Sequence, residues 1–247
     1  MHHAPPWTSS SRTDPGMVRE VNEDACVDRP QAAMWAVADG MGGHQAGDLA
    51  STMLVEALCG IAPASDLGTY VELVEDALLE VNTELRTIAE ARDAQAVGST
   101  VAVLLAGRAH AVCMWAGDSR IYRYRAGRLE RLTQDHALVE ELIERGMLSE
   151  EEAIDHPHAN LVTRAVGAGD ELNIDLEMVE IAAGDVFVLC SDGLDKAVRD
   201  EAIADVLAHA TVRRAADELV ELALEHGARD NVTVVVVGVL DDPTDRD

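Results

Sequence analysis

Short apolar runs that end in aspartate constrain the fold of this chain more than any other feature of its sequence. Three strand-like runs and one helix-like run are each followed by such a residue: Asp39, Asp118, Asp192 and Asp230. Carboxylates placed where strands end can converge at one edge of a sheet, where they repel one another unless cations compensate. Hard oxygen ligands favour Mg²⁺ or Mn²⁺, so the pattern predicts a site for more than one metal ion.

The alternative for each aspartate is a turn. Asp39-Gly40 and Asp192-Gly193 are common turn dipeptides, in which Asp bonds to its own backbone and Gly takes a positive φ. The surroundings of Asp39 favour more than a turn, because 39–47 contains four glycines. A backbone without Cβ atoms can approach an ion or a phosphate closely.

Seven short segments extend this pattern over most of the chain. They are the segments 12–24, 37–44, 98–100, 116–120, 133–136, 190–194 and 230–233. In order and spacing they resemble the motifs of the bacterial branch of the PPM family, the metal-dependent protein serine/threonine phosphatases of the 2C type. The resemblance covers roughly 12–240, and its strength lies in the order of the motifs rather than in any one of them.

The resemblance implies an α+β fold, an αββα sandwich in which two antiparallel β-sheets pack face to face and are flanked by helix pairs. Hydrophobic periodicity predicts helices at 45–60, 70–93, 200–208 and 212–226, and strands at 24–27, 34–38, 172–179, 185–190 and 231–239. The strands between 101 and 132 are predicted to form one antiparallel meander with a hairpin turn at Ala126-Gly127.

We expect one phosphatase domain at 12–240. The segments 1–11 and 241–247 are predicted to be flexible tails, and 137–160 a flap.

The resemblance also implies the chemistry: a hydroxide that bridges two Mn²⁺ or Mg²⁺ ions attacks phosphoserine or phosphothreonine. Asp39 would bridge the two ions, Gly40 would provide its backbone carbonyl as a ligand, and Asp192 and Asp230 would complete the coordination of the first ion. Glu23 and Asp24 would act through water. Asp118 would share a third ion with Asp192 or, equally, serve only as a hairpin-turn residue.

Two further residues receive catalytic roles from the resemblance. Arg19, four residues before Glu23, corresponds to the arginine that binds phosphate. Met41 stands directly after Asp39-Gly40, where related animal enzymes have His, so the nearest imidazole is His44. His44 would donate a proton to the leaving oxygen, orient a water or only structure the glycine loop.

The composition of the chain limits the classes of partner that it can bind. A formal net charge of -27 argues against nucleic acid and anionic membranes. The start of the chain shows no secretory signal and the four cysteines show no C-x-x-C pairing, so a cytoplasmic protein with reduced thiols is expected. We expect a monomer that acts on phosphorylated proteins and opposes a bacterial Ser/Thr kinase. The alternative is a catalytically silent regulator of the same fold that binds phosphoproteins.

Five arginines between 120 and 131 fall on one predicted hairpin. They would either attract acidic phosphosubstrates or form ion pairs with local carboxylates.

Overall fold

The computed structural model describes residues 7–42, 46–92, 97–154 and 156–240, and within these ranges the chain forms two antiparallel β-sheets. The first sheet contains five strands. In spatial order they are β1 (Trp7–Asp14), β11 (Val232–Val239), β10 (Val186–Cys190), β7 (Arg120–Arg125) and β8 (Arg128–Arg131).

The second sheet contains six strands. In spatial order its main strands are β2 (Asp24–Arg29), β3 (Met34–Met41), β5 (Val101–Ala106), β6 (His110–Ala116) and β9 (Asp175–Glu180). The two-residue strand β4 (Gly98–Ser99) pairs with the end of β3.

Helices cover the outer faces of both sheets. The helices α1 (Ala46–Gly60) and α2 (Leu67–Ala91) pack on the second sheet, and α6 (Asp200–His209) and α7 (Val212–Glu225) pack on the first. The remaining helices are short: α3 (Leu138–Glu144), α4 (Glu150–Ile154) and α5 (Asp192–Asp195). The predicted αββα sandwich is confirmed. No helix in the described part of the chain is long and apolar enough to cross a membrane.

Strand β11 shows why the sandwich needs continuous apolar runs. Val234 and Val236 face α6 and α7, whereas Val235 and Val237 face the second sheet. Successive side chains of a strand point to opposite faces, so a strand covered on both sides must be apolar at every position.

The core between the sheets is built around a few large side chains. Trp35 and Phe187 are fully buried there, and the ring of Trp7 packs edge-on against Trp35 with centroids 5.5 Å apart. An aromatic pair in this geometry contributes about 1 kcal/mol beyond its buried area. With few aromatics in the chain, valine, leucine and alanine supply most of the remaining packing.

The prediction of a flexible tail at 1–11 is wrong for its second half, because Trp7–Asp14 forms edge strand β1. Every residue of β1 pairs with β11, from Trp7 opposite Val239 to Asp14 opposite Val232. The segment has no apolar alternation, and its short hydroxyl side chains find partners within the protein instead: Ser9 donates to Asp28 (2.5 Å). Residues 1–6 and 241–247 lie outside the described ranges.

The predicted single meander is also wrong. Strands β5 and β6 pair in the second sheet, whereas β7 and β8 pair in the first. The chain crosses between sheets at Gly117-Asp118-Ser119, where Gly117 has φ +122° and a Cβ would lie 2.5 Å from Thr100 Cβ. The crossing brings Asp118 to the end of the sandwich. The hairpin turn at Ala126-Gly127 is confirmed, with positive φ at both residues.

Candidate metal centre and active site

A cavity of about 940 Å³ opens at the end of the sandwich where β3 and β6 finish and β5 begins. Most of the residues singled out from the sequence line it: Arg19, Glu23, Asp39, Gly40, Asp118, Asp192 and Asp230. Asp24 is buried next to this group rather than on the cavity wall. His44 lies outside the described residues, so its predicted role stays a prediction.

Asp39 and Gly40 are held at the end of β3 by backbone pairing. Thr100 N donates to Asp39 O (2.9 Å), and Asp39 N donates to the Thr100 hydroxyl (3.2 Å). A Cβ on Gly40 would lie 2.1 Å from Gly47 O and 2.6 Å from Glu23 O, so only glycine fits. The close packing brings the start of α1 and the Glu23 backbone against the Asp39 loop.

Asp24 lies opposite Asp39 in the β2–β3 ladder. The Ser191 hydroxyl donates to Asp24 Oδ2 (2.7 Å) and accepts a hydrogen bond from Thr233 N (3.0 Å), which ties the carboxylate to the first sheet. Asp24 Oδ1 is buried without a partner in the described structure. Burial, and then the charges of Asp192 and Asp230, raise the pKa of Asp24 to about 7, although its hydrogen bonds act in the opposite direction.

Asp192 is the first residue of α5, directly after β10. Its Oδ2 forms an ion pair with the Lys196 ammonium, and its Oδ1 is buried without a partner among the described residues. Burial acts to lower the pKa of Lys196, but the charge and hydrogen bond of Asp192 and the charge of Asp118 raise it above its usual value. Lys196 therefore places a positive charge among the carboxylates, a feature that the sequence analysis did not identify.

Asp118 occupies the crossing between the two sheets and is 8% exposed. His136 fixes this turn, because His136 N donates to Gly117 O (2.9 Å) and Gly117 N donates to His136 Nδ1 (3.1 Å). Burial, followed by the charge of Asp192, raises the pKa of Asp118 to about 7. The hairpin-turn interpretation of Asp118 is wrong, because the turn joins strands of different sheets. The side chain lines the cavity, and its role as a metal ligand stays a prediction.

Asp230 and Arg19 close the cavity on the side of the β1–β2 loop. Arg19 Nη2 donates to Asp230 Oδ2 (2.8 Å), and this hydrogen bond raises the pKa of the guanidinium. Both side chains remain accessible, with 53% of Arg19 and 41% of Asp230 exposed. Arg19 thus lies at the cavity, and its predicted role in binding phosphate stays a prediction.

Asn231 holds the loop that carries Arg19 and Glu23. Its Nδ2 donates to Pro15 O and Val21 O, both at 3.0 Å, and its Oδ1 accepts from Glu23 N (2.8 Å). Asn231 belongs to a motif quoted from the sequence, but nothing in the sequence reveals which backbone groups it contacts. His226 also lines the cavity, with Nδ1 3.0 Å from Ala197 O, and no sequence signal singled it out.

The charge balance of the cavity fits divalent cations. Burial, then the charges of Asp24 and Asp192, hold the pKa of Asp39 well above its usual value. Buried carboxylate oxygens of Glu23, Asp24 and Asp192 have no hydrogen-bond partner in the described structure. Within the described ranges no three His, Cys, Asp or Glu side chains already enclose one point. Glu23 and Asp192 line the cavity, so their unpartnered oxygens offer the hard donors that divalent cations prefer.

Two antiparallel sheets between helix pairs, with carboxylates meeting at one end, define the architecture of a metal-dependent phosphatase. The sequence model of the family described as "Protein phosphatase 2C" matches residues 18–227. The chain belongs to this family, as the resemblance of its motifs predicted.

Curated relatives and solved structures agree with this membership. The serine/threonine protein phosphatase PstP of Mycobacterium tuberculosis is 38% identical over 233 residues, which is 94% of this chain but 45% of that protein. This chain therefore spans less than half the length of the mycobacterial relative.

Two solved structures cover nearly all of this chain. PppA, described as a key regulatory component of T6SS in Pseudomonas aeruginosa, is 44% identical with a TM-score of 0.89, covering 95% of this chain and 98% of that one. The catalytic domain of PstP in complex with two manganese ions is 37% identical with a TM-score of 0.84, covering 95% and 99%.

Proposed function

We propose that this chain is a Mn²⁺- or Mg²⁺-dependent protein phosphatase that hydrolyses phosphoserine and phosphothreonine. One observation carries the proposal: Asp39, Asp118, Asp192 and Asp230 come from four separate segments and line one cavity around Gly40. Such a concentration of partly or wholly buried carboxylates destabilises a fold unless protons or cations offset their charge. Within this family, a metal centre explains why the arrangement exists.

The residues that would hold two ions are Asp39, the Gly40 carbonyl, Asp192 and Asp230. Glu23 and Asp24 would act through water, and Asp118 with Asp192 would hold a third ion. When bound, such ions lower the pKa of a coordinated water and neutralise charge on the phosphoryl group.

Arg19 binds the phosphoryl oxygens in this proposal. Its guanidinium lies at the cavity mouth and is half exposed, so a substrate can reach it. Its hydrogen bond to Asp230 orients it from within the cavity. A guanidinium can donate two parallel hydrogen bonds to phosphate and offset the charge that grows there in the transition state.

A proton must reach the departing serine or threonine oxygen. We retain His44 for this role. The imidazole of His226 is a second candidate, because it lines the cavity and its Nδ1 is beside the Ala197 carbonyl, which leaves Nε2 for another partner. Replacing each in turn by Gln separates the two, since only loss of the proton donor should depress turnover more for substrates with poor leaving groups.

We further propose that the phosphatase domain extends over 7–240, with 137–160 as a flap, and that the enzyme acts as a monomer in the cytoplasm on proteins phosphorylated by a Ser/Thr kinase. All four cysteines are free thiols, which suits a reducing compartment. Size-exclusion chromatography with light scattering tests the oligomeric state, and fractionation of cells tests the location.

The central experiment measures hydrolysis of a phosphothreonine peptide with Mn²⁺, with Mg²⁺ and with EDTA. The wild type should require metal, and Asp192→Ala should lose activity by at least about a thousandfold. Asp76→Ala is the matched control, because Asp76 is an exposed residue of α2 outside the cavity. A folded wild type without activity under any metal would favour the silent phosphoprotein-binding alternative.

A further inference from the structure

The mouth of the cavity carries large apolar side chains that are exposed to solvent. On the β1–β2 loop these are Met17 (65% exposed), Val18 (62%) and Val21 (55%). Leu161 (49%) lies on a different segment, and of these four residues Val18 and Leu161 line the cavity. We call these four residues the apolar rim. Clustered exposed apolar side chains at a cleft mark interaction sites more often than isolated ones do.

The loop side of the rim is held firmly by hydrogen bonds. Asn231 binds both ends of the loop through Pro15 O and Val21 O, and Met17 N donates to Ala228 O (2.8 Å). Gly16 has φ +76°, and a Cβ there would lie 2.1 Å from Asp230 O, so the loop is packed directly on the metal-ligand segment. These contacts fix the backbone and leave the three apolar side chains facing out.

The other segment of the rim is also tied to regular structure. Leu161 O accepts from Leu138 N (2.9 Å), at the start of α3, and the next residue, Val162, forms a bridge with Ala137. The backbone around Leu161 is therefore hydrogen-bonded, although its side chain is exposed. The loop side of the rim, whose backbone is fixed, pays little ordering entropy when a ligand binds.

Charge restricts what this surface can accept. The protein has a formal net charge of -27, which repels acidic segments. The arginine hairpin does not relieve this repulsion: Arg123 pairs with Glu130 and Arg125 with Asp185, each at 2.6 Å. Arg123 and Arg125 are therefore engaged within the protein, as the ion-pair alternative predicted. The exposed apolar side chains beside the cavity offer a means of recognition that does not depend on charge.

We propose that the apolar rim binds hydrophobic residues immediately beside the phosphorylated serine or threonine of a protein substrate. The proposal rests on the proposed phosphatase function and adds a substrate class to it: phosphorylated segments with apolar, non-acidic neighbours. The phosphate enters the cavity towards Arg19, and the flanking side chains lie on Val18 and Leu161.

The test compares two phosphothreonine peptides of equal length and charge. One has Val and Leu beside the phosphothreonine, and the other has Thr and Gln at those positions. The wild type with Mn²⁺ should prefer the apolar peptide by about tenfold in kcat/KM, chiefly through KM. The double variant Val18→Ser/Leu161→Ser should lose most of that preference. The preference is a ratio within one protein, so a general change in turnover does not affect it.

A matched control removes apolar surface elsewhere. Leu73→Ser/Met178→Ser changes two exposed residues, 43% and 66% exposed, that do not line the cavity. This variant should keep the wild-type preference. Equal kcat/KM for the two peptides in the wild type, or an unchanged preference in the rim variant, would overturn the proposal.

Two measurements distinguish failure of the apolar-rim proposal from failure of the proposed phosphatase function. Hydrolysis of p-nitrophenyl phosphate with Mn²⁺ shows whether the metal centre is active at all. Binding of both peptides to Asp192→Asn, followed by fluorescence anisotropy, tests the rim without turnover, and a tighter apolar peptide supports the proposal. A concentration-dependent dimer that disappears in the rim variant would assign the surface to a second copy of the chain and overturn the proposal.

Discussion

Asn231→Ala should weaken both the fold and the metal centre, because one side chain satisfies three backbone groups of the segment 15–23. The side chain is 6% exposed and makes hydrogen bonds of 2.8, 3.0 and 3.0 Å. Each bond is worth about 1 kcal/mol net, so the free energy of unfolding should fall by about 3 kcal/mol. Arg19 and Glu23 lie on the released segment, so Mn²⁺ affinity should also fall, by about tenfold.

Urea denaturation measures the first effect, and calorimetric titration with Mn²⁺ measures the second. Asn82→Ala is the matched control, because Asn82 is also buried and bonds to Gly167 N (2.7 Å) and Gly169 O (3.2 Å), away from the cavity. It should lose about 2 kcal/mol but keep its Mn²⁺ affinity. The reasoning is refuted if Asn231→Ala loses less than about 1 kcal/mol, or if both variants lose Mn²⁺ affinity equally.

Three other predictions follow from the site. Gly40→Ala should destabilise the protein by at least about 2 kcal/mol and abolish metal-dependent hydrolysis, because the new Cβ would overlap two carbonyl oxygens. The control Gly60→Ala, which has open space around it, should change neither stability nor activity. Thermal melting and hydrolysis assays measure both effects. Asp118→Asn should stabilise the EDTA-treated protein increasingly as pH rises from about 4 to 7, because the Asp118 carboxyl holds its proton more tightly in the folded state than in the unfolded state. Urea denaturation at pH 8 should show a gain of at most about 4 kcal/mol. A gain that shrinks as pH rises contradicts this prediction. Lys196→Met should tighten Mn²⁺ binding by about fivefold in calorimetry, because it removes a positive charge beside Asp192, and an unchanged affinity would show that Lys196 does not compete with the ion.

Much of the architecture could be predicted because apolar runs record burial. Strand β11, covered on both faces, has valine at almost every position, and α7 shows a regular apolar stripe. Strand β1 was not predicted because it is an edge strand rich in short hydroxyl residues, and their partners Asp28 and Val212 are distant in sequence. Pairing of that kind depends on which elements meet, and local periodicity does not encode it.

The main residues of the candidate site could also be predicted from the sequence. Motif order located Asp39, Asp192 and Asp230, and the structure brings them to one cavity. The supporting contacts were not predictable, because hydrogen bonds between the side chains of Asn231 or Ser191 and particular backbone groups depend on three-dimensional placement. The crossing at Gly117 was missed for the same reason: hairpins and crossings both use glycine at such turns, and sheet pairing decides between them.

The position of β11 has a consequence for how the protein is made. This strand is the last one among the described residues, yet it lies between β1 and β10 in the first sheet, where Val239 pairs with Trp7 of β1. A nascent chain cannot complete that sheet, or bring Asp230 to the cavity, until nearly all of the domain has left the ribosome. Such long-range pairing slows folding. The cavity can therefore form only after nearly the whole domain has been synthesised.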